Sequence, residues 1–143
     1  MLLLTFRLGA ERYGLDVAPV VRVLPQVETR PVPGAPPWVR GLANLEGASL
    51  PVLDLCMLAL GRPARDAMST RLIQLRIGEV MVGLLAESVN EVVRVDPSAF
   101  GSSGLDLPQT RYLGPVMAWE DGFLQKVEPA ELLPPEVLEL LKT

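Results

Sequence analysis

"RGLANLEGASLPVLDLCMLAL", residues 40–60, and "LGPVMAWEDGFLQKVEPAELL", residues 113–133, follow one plan. In the first, a strand reaches a turn ending in Gly47, a second strand follows, and Asp54 opens a leucine-containing helix that runs to Gly61. In the second, Gly122 supplies the turn and Glu128 stands before the helix. The acid between strand and helix has a physical reason: an Asp at the N-cap accepts the free N–H groups of the first helical turn. A plan of strand, Gly turn, strand, acid and helix, written twice, suggests two small barrels sharing one chain, because closure removes the exposed edges of a sheet. A single sandwich is the alternative topology.

Period-two alternation carries the rest of the secondary structure. Leu2, Leu4, Phe6 and Leu8 fall on one face, a turn follows at residues 9–11, and Tyr13, Leu15 and Val17 repeat the pattern, which predicts a first hairpin. Ile73, Leu75 and Ile77 alternate with Gln74 and Arg76, Gly78 and Glu79 supply a turn, and Val80, Val82 and Leu84 alternate again. A third strand is expected through Val89 and Val93. Helices are few and short: the one after Asp54, and one at the C-terminus where Pro135 suits a first helical position and Val137, Leu140 and Leu141 share a face. Breaks fall at 30–38, 61–70 and 97–110.

With 143 residues, 49% of them hydrophobic and 21% charged, the chain has the composition of a globular domain with enough length for a core of its own. A net charge of -4 argues against nucleic acid as a partner, since that affinity comes from Lys and Arg neutralising phosphates. The opening "MLLLTFRL" lacks a basic segment and a small-residue cleavage site, and no stretch has the apolar length of a membrane helix. A cytoplasmic protein without membrane insertion is expected, and the single Cys56 has no partner for an internal disulfide.

Catalytic constellations are scarce. The chain has no His, the usual base of nucleophilic triads and the commonest metal ligand. Cys56 lies in a leucine-rich stretch and reads as a small buried hydrophobe. "GSSG" at 101–104 has no lysine beside it and reads as a loop. Asp54 and Glu46 flank one strand, and two carboxylates can run acid and base chemistry, but a helix cap accounts for Asp54. Neither a cofactor nor an enzymatic activity is expected, which leaves recognition by surface.

Four segments taken in order, "FRLGAERYGLDVAPVVRVL" (6–24), "PVPGAPPWVRGLANLEGASLPVLDL" (31–55), "VGLLAESVNEVVRV" (82–95) and "YLGPVMAWEDGFLQKVEPAELL" (112–133), resemble the CheW family of chemosensory coupling proteins. The resemblance covers nearly the whole chain. It implies an all-β fold of two small five-stranded barrels, SH3-like or OB-like, around a hydrophobic junction with short helices. The whole chain, 1–143, would form one such domain: a first lobe near 15–85, a second from 1–14 plus 86–128, and a C-terminal helix over 129–142. It also implies a scaffold that bridges the cytoplasmic tips of methyl-accepting chemoreceptors to the regulatory domain of a CheA-type histidine kinase. A divergent member that competes for these sites or links arrays without coupling, and a small-molecule-binding β-barrel, are the alternatives.

By motif, Val20, Gly41, Asn44 and Gly47 match positions where such proteins meet kinase or receptor, although backbone freedom also accounts for both glycines. Val89 and Val93 are candidates for the junction where receptor helices dock. Two positions depart from the family pattern. Relatives usually carry Asn-Leu-Arg-Gly where this chain has Asn44, Leu45, Glu46 and Gly47, and an acid in Val-x-Glu-Val where it has Arg22. Asn44 and Gly47 suit a type I turn with a left-handed Gly, which would place Leu45 and Glu46 at the outward central positions. Reversal at both sites leads to the expectation that Arg22 and Glu46 pair with each other or share one partner-facing patch.

Overall fold

A computed structural model describes residues 1–104 and 107–133. The chain order is β1 (Leu2–Leu8), β2 (Glu11–Asp16), β3 (Val20–Pro25), β4 (Val39–Leu45), β5 (Ala48–Asp54), α1 (Leu55–Leu60), β6 (Arg71–Ile77), β7 (Val80–Ala86), β8 (Val92–Arg94), β9 (Leu113–Trp119) and β10 (Gly122–Val127). The strands form two five-stranded sheets, ordered β8-β1-β2-β10-β9 and β3-β6-β7-β5-β4. Each curls into a barrel closed by an isolated bridge, Gly101 to Val116 in the first and Arg30 to Leu42 in the second. The fold is all-β, as the alternation requires.

The duplication is longer than its legible tail. Strands β1 to β5 with α1 correspond to β6 to β10 with a 3-10 turn at Pro129–Leu132, and the corresponding pairings match: β1–β2 and β6–β7 are antiparallel hairpins, while β10–β2 and β5–β7 are parallel. Each hairpin is donated to the other copy's barrel. β1–β2 completes the barrel of β8, β9 and β10, and β6–β7 completes that of β3, β4 and β5.

β1 divides the two cores. Leu4, Phe6 and Leu8 join Leu50, Val52, Leu72, Leu75 and Leu84 in one large cluster at the junction, while Leu3 packs with Val95 and Leu124 inside the first barrel. Phe6 and Tyr13 stack across the hairpin with ring centroids 6.1 Å apart. Leu2 has the parity of Leu4 but is exposed at the strand's end. Each buried leucine here contributes about 1.5–3 kcal/mol through burial.

Two local expectations need correction, and a third is only partly covered. The turn after β4 is a two-residue loop: Leu45 pairs with Ala48, and Glu46 and Gly47 both lie in the left-handed region with φ of 55° and 89°. Such a turn matches the twist of a hairpin better than type I does, and it leaves Leu45 half-buried against the core instead of outward. The strand expected through Val89 and Val93 spans only Val92–Arg94 and pairs with β1; Ser88, with φ of 48°, turns the chain ahead of it. Of the expected C-terminal helix, residues 129–132 form the 3-10 turn, while Pro135, Val137, Leu140 and Leu141 lie outside the described residues.

Asp54 caps α1 as expected, its Oδ1 accepting from the N–H groups of Cys56 (2.9 Å) and Met57 (3.1 Å), and Gly61 ends the helix with φ of 74°. The segment linking the two copies is anchored next to this cap. Ala64 N–H donates to Asp54 Oδ2 (2.9 Å), Arg62 grips Glu87 with two bonds (2.8 and 2.9 Å), and Arg65 N–H donates to Glu87 (2.7 Å).

The Arg62 hydrogen bond, aided by that of Arg65, lowers the Glu87 carboxyl from an ordinary 4.5 to about 2. A carboxylate more acidic in the folded chain stabilises it above pH 4.5 and loses that contribution as pH falls toward 2, an effect of about 2–3 kcal/mol. Thermal unfolding between pH 2 and 6 is expected to show this acid limb in the parent and a shallower one in Glu87→Gln.

Candidate partner-binding site

β3 reads Val-Val-Arg-Val-Leu-Pro, so either of its faces must carry apolar side chains. Burial settles the matter: Val20, Arg22 and Leu24 are half-buried, and Val21 and Val23 are exposed at 50% and 41%. Leu42 on β4 is exposed as well. Arg22 lies opposite Gln74 of β6, whose Oε1 accepts from its Nε at 2.8 Å. That bond aims the guanidinium at the β4–β5 tip, where Nη1 donates to Glu46 Oε1 at 3.1 Å.

The tip is itself fixed. Asn44 Oδ1 accepts from Gly47 N–H at 2.9 Å, holding the loop in a conformation that costs a non-glycine residue such as Glu46 about 1–2 kcal/mol. Glu46 remains 75% exposed at the side chain, and an exposed ion pair returns at most about 1 kcal/mol. The pair therefore contributes little to stability. Its consequence is electrostatic, a fixed orientation of two opposite charges at a strand edge whose other side exposes Val21 and Val23.

The structure thus brings Arg22 of β3 to the tip formed by Asn44, Glu46 and Gly47, while Val20 packs against the junction core. Gly41 belongs to the scaffold. It is buried at φ of 140°, and a Cβ there would lie 2.2 Å from the carbonyl oxygen of Arg30, at the bridge that closes the barrel. Beside that bridge an open groove of about 570 Å³ runs between residues 27–30 and Leu42 and Asn44. Val89 and Val93 pack against different cores, Val89 on the junction cluster and Val93 inside the first barrel. Residue typing missed Val21, Val23 and Leu42, though the apolar run around Arg22 carried the signal.

The acids do not form a catalytic pair. Asp54 and Glu46 sit at opposite ends of β5, roughly 20 Å apart by strand rise. Both Asp54 oxygens are occupied, Oδ2 by Arg40 Nη1 (3.2 Å) as well as Ala64. Cys56 is fully buried, and burial foremost, with the negative Glu87 and Asp54 nearby, pushes its thiol up to about 12, which keeps it protonated. Among the described residues no three His, Cys, Asp or Glu side chains gather as metal ligands, and no helix is long and apolar enough to cross a membrane.

The sequence profile of the CheW-like domain matches residues 2–136. The chain belongs to the CheW-like domain family. Among relatives, the chemotaxis protein CheW of Klebsiella aerogenes is 28% identical over 90 residues, 63% of this chain and 54% of that protein. CheW of Treponema pallidum is 40% identical over 53 residues, 37% of this chain and 31% of that one. The chain thus matches about half and about a third of these two relatives' own length. The crystal structure of the scaffolding protein TtCheW from Thermoanaerobacter tengcongensis superposes with a TM-score of 0.82 at 24% identity, over 93% of this chain and 87% of that one, a likeness of fold. The two barrels of this CheW-like chain are therefore the family's two barrels, with the Arg22–Glu46 pair at the edge of the second.

Proposed function

We propose that this CheW-like chain is a non-enzymatic adaptor that couples chemoreceptors to a CheA-type histidine kinase, and that the Arg22–Glu46 pair selects its kinase. The pair itself carries this reading. Arg22 and Glu46 meet at 3.1 Å with charges in the reverse of the family's usual order, on an edge strand that also exposes Val21 and Val23 to its other side. Reversal keeps the two positions attractive to each other while inverting the field a partner meets. Like charges facing across an interface cost several kcal/mol, enough to exclude a kinase built for the usual order. The apolar surface supplies area and the ion pair supplies discrimination.

Calorimetric titration with two kinase regulatory domains tests this, one from the same organism and one from a relative whose adaptor has the usual order. The single variant Glu46→Arg sets two cations side by side and is expected to weaken binding of its own kinase about a hundredfold. The double variant Arg22→Glu/Glu46→Arg restores the pair in the opposite sense, and is expected to stay weak toward its own kinase and gain affinity for the other. Full recovery toward its own kinase would make the pair a device for positioning the tip and overturn the selectivity reading. Absence of kinase binding by the folded parent chain would overturn the adaptor reading.

A further inference from the structure

The β1–β2 hairpin carries a second charge arrangement that the adaptor reading does not use. Arg7 and Arg12 are direct cross-strand partners. Arg7 N–H bonds to Glu87 O, away from β2, so the two arginines form the non-hydrogen-bonded kind of pair, in which side chains lie closest. Like charges so placed are destabilising. Acids stand to one side of the pair, where both arginines line a smaller hollow of about 130 Å³ with Glu11, Glu120 and Asp121, but only Glu120 comes within ion-pair reach. Glu87, beside Arg7, is held by Arg62 and Arg65, and no acid among the described residues lies within ion-pair reach of Arg7. Arg12 reaches Glu120 only at 3.8 Å.

These arginines line a concavity of about 320 Å³ with Thr5, Ser69, Ser88 and Asn90, and no carboxylate lines it. Ser88 stands at its rim in the left-handed conformation, the kind of local strain found where a site needs a particular geometry. Two guanidinium forks, an amide and three hydroxyls, of which that of Thr5 already donates to Glu91 O, thus surround a space of small-ligand size.

We propose that this concavity binds a phosphate-class oxyanion, held by Arg7 and Arg12 with Ser69, Ser88 and Asn90 as neutral donors. Guanidinium forks bind phosphoryl and carboxylate oxygens in bidentate fashion. The number of donors favours a tetrahedral anion with three or four acceptor oxygens over a planar carboxylate with two. A bound anion cancels the repulsion between the arginines and competes with Glu120 for Arg12.

The test follows backbone amides by nuclear magnetic resonance at constant ionic strength while adding inorganic phosphate, AMP or acetate. Phosphate is expected to shift the amides of Thr5, Ser69, Ser88 and Asn90 saturably. Arg7→Gln and Arg12→Gln are each expected to weaken binding about tenfold or more, and Arg7→Lys to weaken it less. Glu120→Gln is expected to tighten it about threefold by removing the competitor. Melting temperatures of the two Arg→Gln variants should hold or rise as repulsion is removed, which separates lost binding from lost folding. Tighter binding of AMP through the same arginines assigns the group to a larger phosphomonoester, and equal affinity assigns it to free phosphate. Unchanged spectra, shifts insensitive to both arginine variants, or acetate binding as tightly as phosphate would overturn the site.

Discussion

Gly41→Ala is expected to open the second barrel, at a cost of about 4 kcal/mol or more. The added methyl would stand 2.2 Å from the oxygen and 2.7 Å from the carbonyl carbon of Arg30, both backbone atoms, at a φ of 140° that side chains rarely adopt. Relief requires moving the segment whose Arg30 N–H and C=O bond to Leu42, at 2.8 and 2.9 Å, and this bridge closes the barrel. Urea denaturation measures the loss, and hydrogen exchange at Arg30 and Leu42 locates it. Gly47→Ala serves as the control. Nothing lies within 4 Å of a Cβ there, so only the strain at its φ of 89° remains, about 1 kcal/mol. A family-matched glycine at an exposed hairpin tip and one inside the scaffold are thereby told apart.

Asp54→Ala is expected to destabilise the chain by about 3–5 kcal/mol, far more than a lost surface cap. The carboxylate is 2% exposed at the side chain and accepts four bonds, two from the start of α1, one from Ala64 and one from Arg40. Removal strands the buried N–H groups of Cys56 and Ala64 together. Asp54→Asn keeps one acceptor for the cap but turns an NH₂ toward Ala64 N–H and Arg40, so most of the loss should persist. Glu46→Ala, measured in the same urea titrations, is expected to change stability by less than about 1 kcal/mol. The contrast between these two acids, one at the end of β5 and one in the turn before it, separates the one that builds the barrel from the one that faces outward.

Local physics made part of this legible. Asp54 before a leucine run, and glycine between two apolar strands, identify β4, β5 and α1 without any tertiary information. The tip misled because Asn44 and Gly47 satisfy the spacing of a type I turn, and local preference argues against an acid in the left-handed region where Glu46 sits. The exchange of hairpins had no local signature, since a parallel pairing such as β2 with β10 joins residues more than a hundred apart. For the same reason Val89 and Val93 read as one surface until pairing placed them on different cores. The nearness of Arg22 and Glu46 was visible only as a double departure from a family pattern. The Arg7–Arg12 pair required the register of β1 on β2.

The exchanged hairpins also impose an order on synthesis. β1 and β2 are complete at residue 16, but their parallel partner β10 begins at residue 122. At about 5–20 residues per second, the hairpin with its row of Leu4, Phe6 and Leu8 waits several seconds for the rest of its barrel. The second barrel closes first, since β7 ends at residue 86, and its junction face is then the only native shelter for that row. The nascent chain must therefore be folded from its middle outward, with the earliest strands the last to be sealed.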